Sequence, residues 1–138
     1  MLPFIGKREQ TRKRYRDTMH AVIKVFSISD AIAGGKNLED ESGNINRKAL
    51  GYIYGFTDAA LQRRGLSIDN EDGYTIILGV LNSLYEGRAS KYFTFLAEHL
   101  KDPETTGGIF YGGQQYNEWL NSDGKKIPLG FGLSLLGG

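Results

Sequence analysis

The sequence predicts an all-α fold: a bundle of about five helices packed around the third, followed by an extended apolar C-terminal segment. Three observations predict it. Apolar residues recur at steps of three and four along most of the chain, the period of one helical face. Glycines and capping residues fall where those periodic stretches stop and start. After Gly124 the apolar residues come at every second position, the period of an extended chain.

The first helix is expected from Glu9 to Ala33, after an N-terminal arm of residues 1–8. Tyr15, Met19, Val22 and Phe26 form its apolar stripe. Arg8, Arg12 and Arg16 make an i, i+4 row in a polar first half, which is expected to be exposed. The second half, AVIKVFSISDAIA, is apolar nearly all round and is expected to be buried. Gly34 and Gly35 stop this helix on the sequence pattern, since glycine takes the left-handed C-cap conformation with no Cβ penalty.

Residues 36–46 read as a polar connection, in which Asn44 or Asn46 can cap a second helix running to Arg64, with Gly65 as its stop. Leu50, Ile53, Tyr54, Thr57 and Leu61 form its stripe. Beside them Gly51, Gly55 and Ala59 stand four apart, a row of small residues that lets another backbone come close. Asp69, Asn70, Glu71 and Asp72 place negative charge at the start of a third helix, where unpaired N–H groups favour it. That helix leaves little polar surface from Tyr74 to Tyr85 and is expected to be the central one.

A fourth helix is expected after Gly87, capped by Ser90 and ended by Asp102-Pro103, with Tyr92, Phe93, Phe95, Leu96 and Leu100 on it. A fifth is expected over Ile109 to Asn121, weakened by Gly107, Gly108, Gly112 and Gly113, because each interior glycine costs roughly 1 kcal/mol relative to alanine. In residues 125–138, Ile127, Leu129, Phe131, Leu133 and Leu135 alternate with Pro128, Gly130, Gly132 and Ser134, which reads as an extended segment.

At 138 residues the chain is expected to be one helical domain with one core. Lys and Arg number 17 against 16 Asp and Glu, so the whole-molecule field draws in neither nucleic acid nor an anionic membrane, and any basic site must be local. The absence of cysteine excludes disulfides, thiolate nucleophiles and sulfur-ligated metal sites, and suits a reducing compartment. With no signal-peptide core before the first charged run, a cytoplasmic placement is expected. No stretch approaches the roughly 18–20 apolar residues that span a bilayer, so no membrane span is expected.

His20 and His99 lie far apart and in no HExxH spacing, so neither a metal site nor a histidine-based triad is expected. Gly34-Gly35-Lys36 lacks the preceding glycine of a phosphate loop. The acidic strings around Gly43 and Gly73 carry Leu38 and Ile68 where a calcium loop needs its first carboxylate. No cofactor or metal is therefore expected.

Two short strings resemble known families. Gly112-Gly113-Gln114-Gln115-Tyr116-Asn117 resembles the GGQ loop of class I peptide-chain release factors and small peptidyl-tRNA hydrolases. That resemblance implies a catalytic loop in which Gly112, Gly113 and Gln114 set a water against an ester, with Asn117 at the family's downstream asparagine. Glu118, Trp119 and Leu120 follow where the family has a serine and a basic strand. The second helix, Gly51-Tyr52-Ile53-Tyr54-Gly55-Phe56-Thr57-Asp58-Ala59, resembles the GYI-x-G-x-x-D-A segment of helical immunity proteins that inhibit type VI secretion amidase effectors. It implies an inhibitor of a secreted effector, although that family is periplasmic and carries cysteines.

Asp58 falls beside the apolar row of Tyr54 and Leu61, and a buried carboxylate needs a partner. A hydrogen bond or ion pair to a tyrosine or arginine is expected, with an acid, base or partner-binding role as the alternative. The pattern as a whole predicts a non-enzymatic interaction domain, an adaptor, regulator or inhibitor of unknown partner. It is expected to self-associate, as a homodimer, through the row of Gly51, Gly55, Asp58 and Ala59 or through the tail residues Ile127, Leu129, Phe131, Leu133 and Leu135. The alternatives are nucleic-acid binding through Arg8, Arg12, Lys13 and Arg16, immunity-type inhibition, and a hydrolase built on Gly112-Gly113-Gln114.

Overall fold

Three helices start on side-chain caps. In a computed structural model describing residues 3–34 and 37–137, Asn46, Asn70 and Asp102 each accept a hydrogen bond from the backbone N–H three residues on. Among the described residues the helices are α1 (Pro3–Ile32), α2 (Arg47–Arg63), α3 (Glu71–Leu84), α4 (Ala89–Glu98), α5 (Pro103–Asn121) and α6 (Gly130–Leu135). No strand forms there; Glu39 and Ile45 make an isolated antiparallel bridge. The all-α bundle that the sequence predicts is the fold.

Several expectations are corrected. Helix α1 begins at Pro3, inside the stretch expected to be an arm, because a proline in the first turn has no N–H to leave unpaired there. Gly34 has a left-handed φ of 80° just past α1, while Gly35 and Lys36 lie outside the described residues. Ser90 is not the cap of α4, which starts at Ala89 with no side-chain cap bond. The Asp102-Pro103 pair opens α5 rather than closing α4: Asp102 is the N-cap and the proline sits in the first turn.

The central helix is α2, not α3. Ten of its 17 residues are buried, and it packs against α1, α4, α5 and α6, whereas α3 packs mainly on α1 and α4. The reason is the approach of α5. A Cβ on Gly51 would run into the carbonyl oxygen of Thr105, and one on Gly55 into the carbonyl of Ile109. Reciprocally, a Cβ on Gly108 would meet the carbonyl oxygen of Lys48, and one on Gly112 would meet that of Tyr52 and stand 2.8 Å from the Phe56 nitrogen. Four glycines, two per helix and four residues apart on each, thus interlock the two backbones. Two of the four glycines expected to weaken the fifth helix, Gly108 and Gly112, let an unbroken α5 dock.

The C-terminal segment is also corrected. Residues 127–129 are non-helical, but Gly130–Leu135 form α6. Phe131 and Leu135, four apart, face the core, and Ser134 Oγ donates to the Gly130 carbonyl oxygen at 2.7 Å. The intervening glycines that suggested period two are there for space: a Cβ on Gly130 would press on the rings of Tyr52 and Tyr111, and one on Gly132 would stand 2.6 Å from the Ser29 carbonyl oxygen. Phe131 is 0% exposed and its ring lies 5.1 Å from that of Phe26, itself 5.2 Å from Phe56. These rings with Tyr52 form the aromatic centre of the core.

Candidate interaction face

The glycine interlock that joins α2 to α5 also shapes the surface above it. Where the two helices emerge, Gly55, Ala59 and Gly113 supply a floor with almost no side chain, leaving a shallow trough of about 440 Å³. Ile109 lies along it, and Phe110 stands at its edge 75% exposed, the most exposed of the large hydrophobic residues described. Covering that ring would remove apolar surface from water, which is favourable at about 25 cal/mol per Å².

The polar rim is made by Asp58, Gln62, Gln114 and Asn117. Asp58 accepts from the Gln62 side-chain nitrogen at 3.0 Å, one helical turn on, so its partner is an amide rather than the tyrosine or arginine that the sequence suggests. Gln114 and Asn117 are exposed, and among the described residues their side chains have no hydrogen-bond partner. The neighbouring Tyr54 hydroxyl reaches Asp69 at 3.4 Å; burial, with the carboxylates of Asp69 and Asp58 adding to it, pushes its pKa up to about 12.

Two strings far apart in sequence meet at this face. From the second-helix segment, Asp58 and Ala59 line the trough with the buried Gly55 at its floor, while Gly51 is covered by α5, so that row is not a free surface for self-association along its length. From the Gly112 to Asn117 string, Gly113, Gln114 and Asn117 line the trough and Gly112 is buried. The string is mid-helix, not the loop that the resemblance implies, and its backbone N–H groups are committed to carbonyls one turn back.

The other predicted residues are scattered. Phe131 and Leu135 belong to the core, while Ile127, Leu129 and Leu133 are exposed. Arg8, Arg12, Lys13 and Arg16 are exposed on α1. His20 is exposed, and His99 stacks on Phe95 at 3.9 Å between ring centres. Among the described residues no group of three or more His, Cys, Asp or Glu can hold a metal, and no helix is long and apolar enough to cross a membrane. A second, wider opening lies where the 37–48 segment, α5 and α6 meet, with Leu38, Ile45, Tyr111 and Leu133 on its walls.

Sequence reasoning missed Phe110 and Gln115. The repeat Thr105, Gly108, Gly112, Tyr116 is the buried stripe of α5, and Phe110 falls off it; the glycine spacing, identical to that of Gly51 and Gly55, carried that information. Gln115 has the appearance of a solvated amide in the sequence, yet its Oε1 accepts from the Tyr52 hydroxyl at 2.7 Å. No family model, curated protein or solved structure matches this chain.

Proposed function

We propose that this chain is a small non-enzymatic interaction domain, an adaptor, regulator or inhibitor, that receives an apolar side chain of a protein partner in the α2/α5 trough. The observation that carries this reading is Phe110, 75% exposed beside a floor of Gly55, Ala59 and Gly113. Full burial of a phenylalanine side chain is worth roughly 1.5–3 kcal/mol. A protruding ring and a small-residue trough on the same face are the two halves of an isologous contact, in which a two-fold axis sets each Phe110 into the other copy's trough. The partner named first is therefore a second copy.

The immunity-type resemblance supports a narrower version, in which Asp58 and Ala59 face the partner while the two glycines of the segment serve packing. A cysteine-free composition supports a cytoplasmic setting.

The test is molar mass by light scattering over a range of concentrations. Phe110→Ser removes the ring, and Gly113→Leu fills the trough from a position where a Cβ is in ordinary contact with the Gly55 carbonyl oxygen at 3.8 Å; circular dichroism checks that both variants keep their helix content. Both variants are expected to be monomeric and folded where the parent chain dimerises. A parent chain that stays monomeric throughout, or variants that dimerise as it does, refutes self-pairing through this face.

A further inference from the structure

The first half of α1 carries no buried described side chain until Tyr15, whose hydroxyl donates to the Ser67 carbonyl oxygen at 2.9 Å and pins the helix to the bundle. From Lys7 to Asp17 the cations Lys7, Arg8, Arg12, Lys13, Arg14 and Arg16 face only two carboxylates, Glu9 and Asp17. The near-neutral total charge hides this segregation, because the rest of the chain then holds more acid than base. Arg14 is engaged with the Arg64 carbonyl oxygen. Among the described residues Lys7, Arg8, Arg12, Lys13 and Arg16 form no ion pair or hydrogen bond through their side chains.

We infer that this half of α1 binds the phosphate backbone of duplex nucleic acid, independently of base sequence. Charge complementarity favours that occupant, and so does its distribution. At 100° per residue, Lys7, Arg12 and Lys13 leave the helix in three directions roughly 100 to 140° apart. Cations splayed so widely reach both flanks of the helix, which suits a helix about 10–12 Å across lying in a major groove about 12 Å wide with phosphates on its two walls. Three of the five unpaired cations are arginines, whose planar fork matches phosphate oxygens in pairs. A membrane surface is the poorer fit, because an interfacial helix needs an apolar face running beside its cations, whereas Met1, Leu2, Phe4 and Ile5 all precede them in sequence and the apolar stripe that starts at Tyr15 is used by the core.

The experiment is fluorescence anisotropy with two labelled DNA duplexes of unrelated sequence, each roughly two helical turns long. With one phosphate on each of the five unpaired cations, the log–log salt slope is about −4.5, so affinity falls about 500-fold between about 50 and 200 mM salt, equally for both duplexes. The triple variant Arg8→Gln, Arg12→Gln, Lys13→Gln flattens the slope by about 2.7, whereas the charge-matched Lys24→Gln, Lys101→Gln, Lys125→Gln leaves it at the parent value. All six positions are exposed, and circular dichroism checks that both variants keep their helix content. No binding at about 50 mM salt, equal loss in both triple variants, or stronger retention on phosphatidylserine vesicles than on either duplex overturns the inference.

Discussion

Gln115 and Gly130 are joined by a hydrogen bond of 2.7 Å, in which the side-chain oxygen of Gln115 accepts from the Gly130 N–H. The same oxygen accepts from the Tyr52 hydroxyl, so one atom ties α5 to α2 and to the start of α6. A second tie holds α6 to α1, where Ser29 Oγ accepts from the Gly132 N–H at 2.9 Å.

Gln115→Ala leaves the Tyr52 hydroxyl and the Gly130 N–H unpaired in a largely apolar setting, at a cost of about 1–3 kcal/mol for each donor that finds no other partner. The variant is expected to unfold at lower urea and to bind a hydrophobic dye as α6 loosens. Gln115→Glu, which keeps an acceptor oxygen, is expected to lie closer to the parent. Identical urea midpoints for the parent and the alanine variant would show that this oxygen ties nothing together.

Neighbouring glycines in α5 are expected to respond with opposite signs. Gly112→Ala drives a methyl into the backbone of α2 at Tyr52 and Phe56, and overpacking against an immovable backbone costs about 1–3 kcal/mol or more. Gly113→Ala meets only the Gly55 carbonyl oxygen at 3.8 Å and gains up to about 1 kcal/mol of helix propensity. Thermal melts of the two variants, run side by side, are expected to move below and above the parent.

Glu39 connects the segment after α1 to α4. Its Oε1 accepts from Lys91 Nζ and the Tyr92 hydroxyl, both at 2.9 Å, and lies 3.3 Å from Arg88 Nη1. The hydrogen bonds from Lys91 and Tyr92, with the positive charges of Lys91 and Arg88 adding to them, hold its pKa below the ordinary 4.5. A depressed carboxyl contributes stability that is present above its unfolded value and is lost as pH falls through the folded one. The stability gap between the parent and Glu39→Gln is therefore expected to be constant near neutrality and to close as pH drops below 4.5. A gap that persists undiminished in acid would assign the loss to shape rather than charge.

Removing the chain from Ile127 onward takes away Phe131, and emptying a buried phenylalanine site costs about 3–5 kcal/mol. Truncation is expected to lower the melting temperature sharply. The double variant Leu133→Ser, Leu136→Ser alters residues that are 49% and 52% exposed and is expected to shift stability by no more than about 0.5 kcal/mol. Comparable losses in the two would place the outer face of α6 in a contact as important as its inner one.

The helices were legible because stripe, cap and stop coincide: Asn46 with Gly65 brackets α2, and the polar run 69–72 marks the start of α3, where Asn70 proves to be the cap. What misled was glycine. A residue without a side chain gives no periodic signal, so Gly108 and Gly112 suggested a frayed helix and Gly130 and Gly132 a strand, when each marks a place where something else comes too close for a Cβ. Non-local contact is the missing information, and it also explains the choice of α3 as centre: apolarity along one helix does not reveal which backbone another helix will touch. The trough was half legible, since Asp58 and Ala59 stood out in the sequence while Phe110 acquires its role only from the burial of the stripe beside it.

α6 follows α5 by only eight residues, 122–129, yet the ring it carries seats far upstream, between Phe26 of α1 and Tyr52 of α2. A contact that closes so long a loop forms slowly, because the entropy of closure must be met before the packing rewards it. The seat of Phe131 is therefore a place where folding is completed late, and where the bundle stays open to water until the short helix docks.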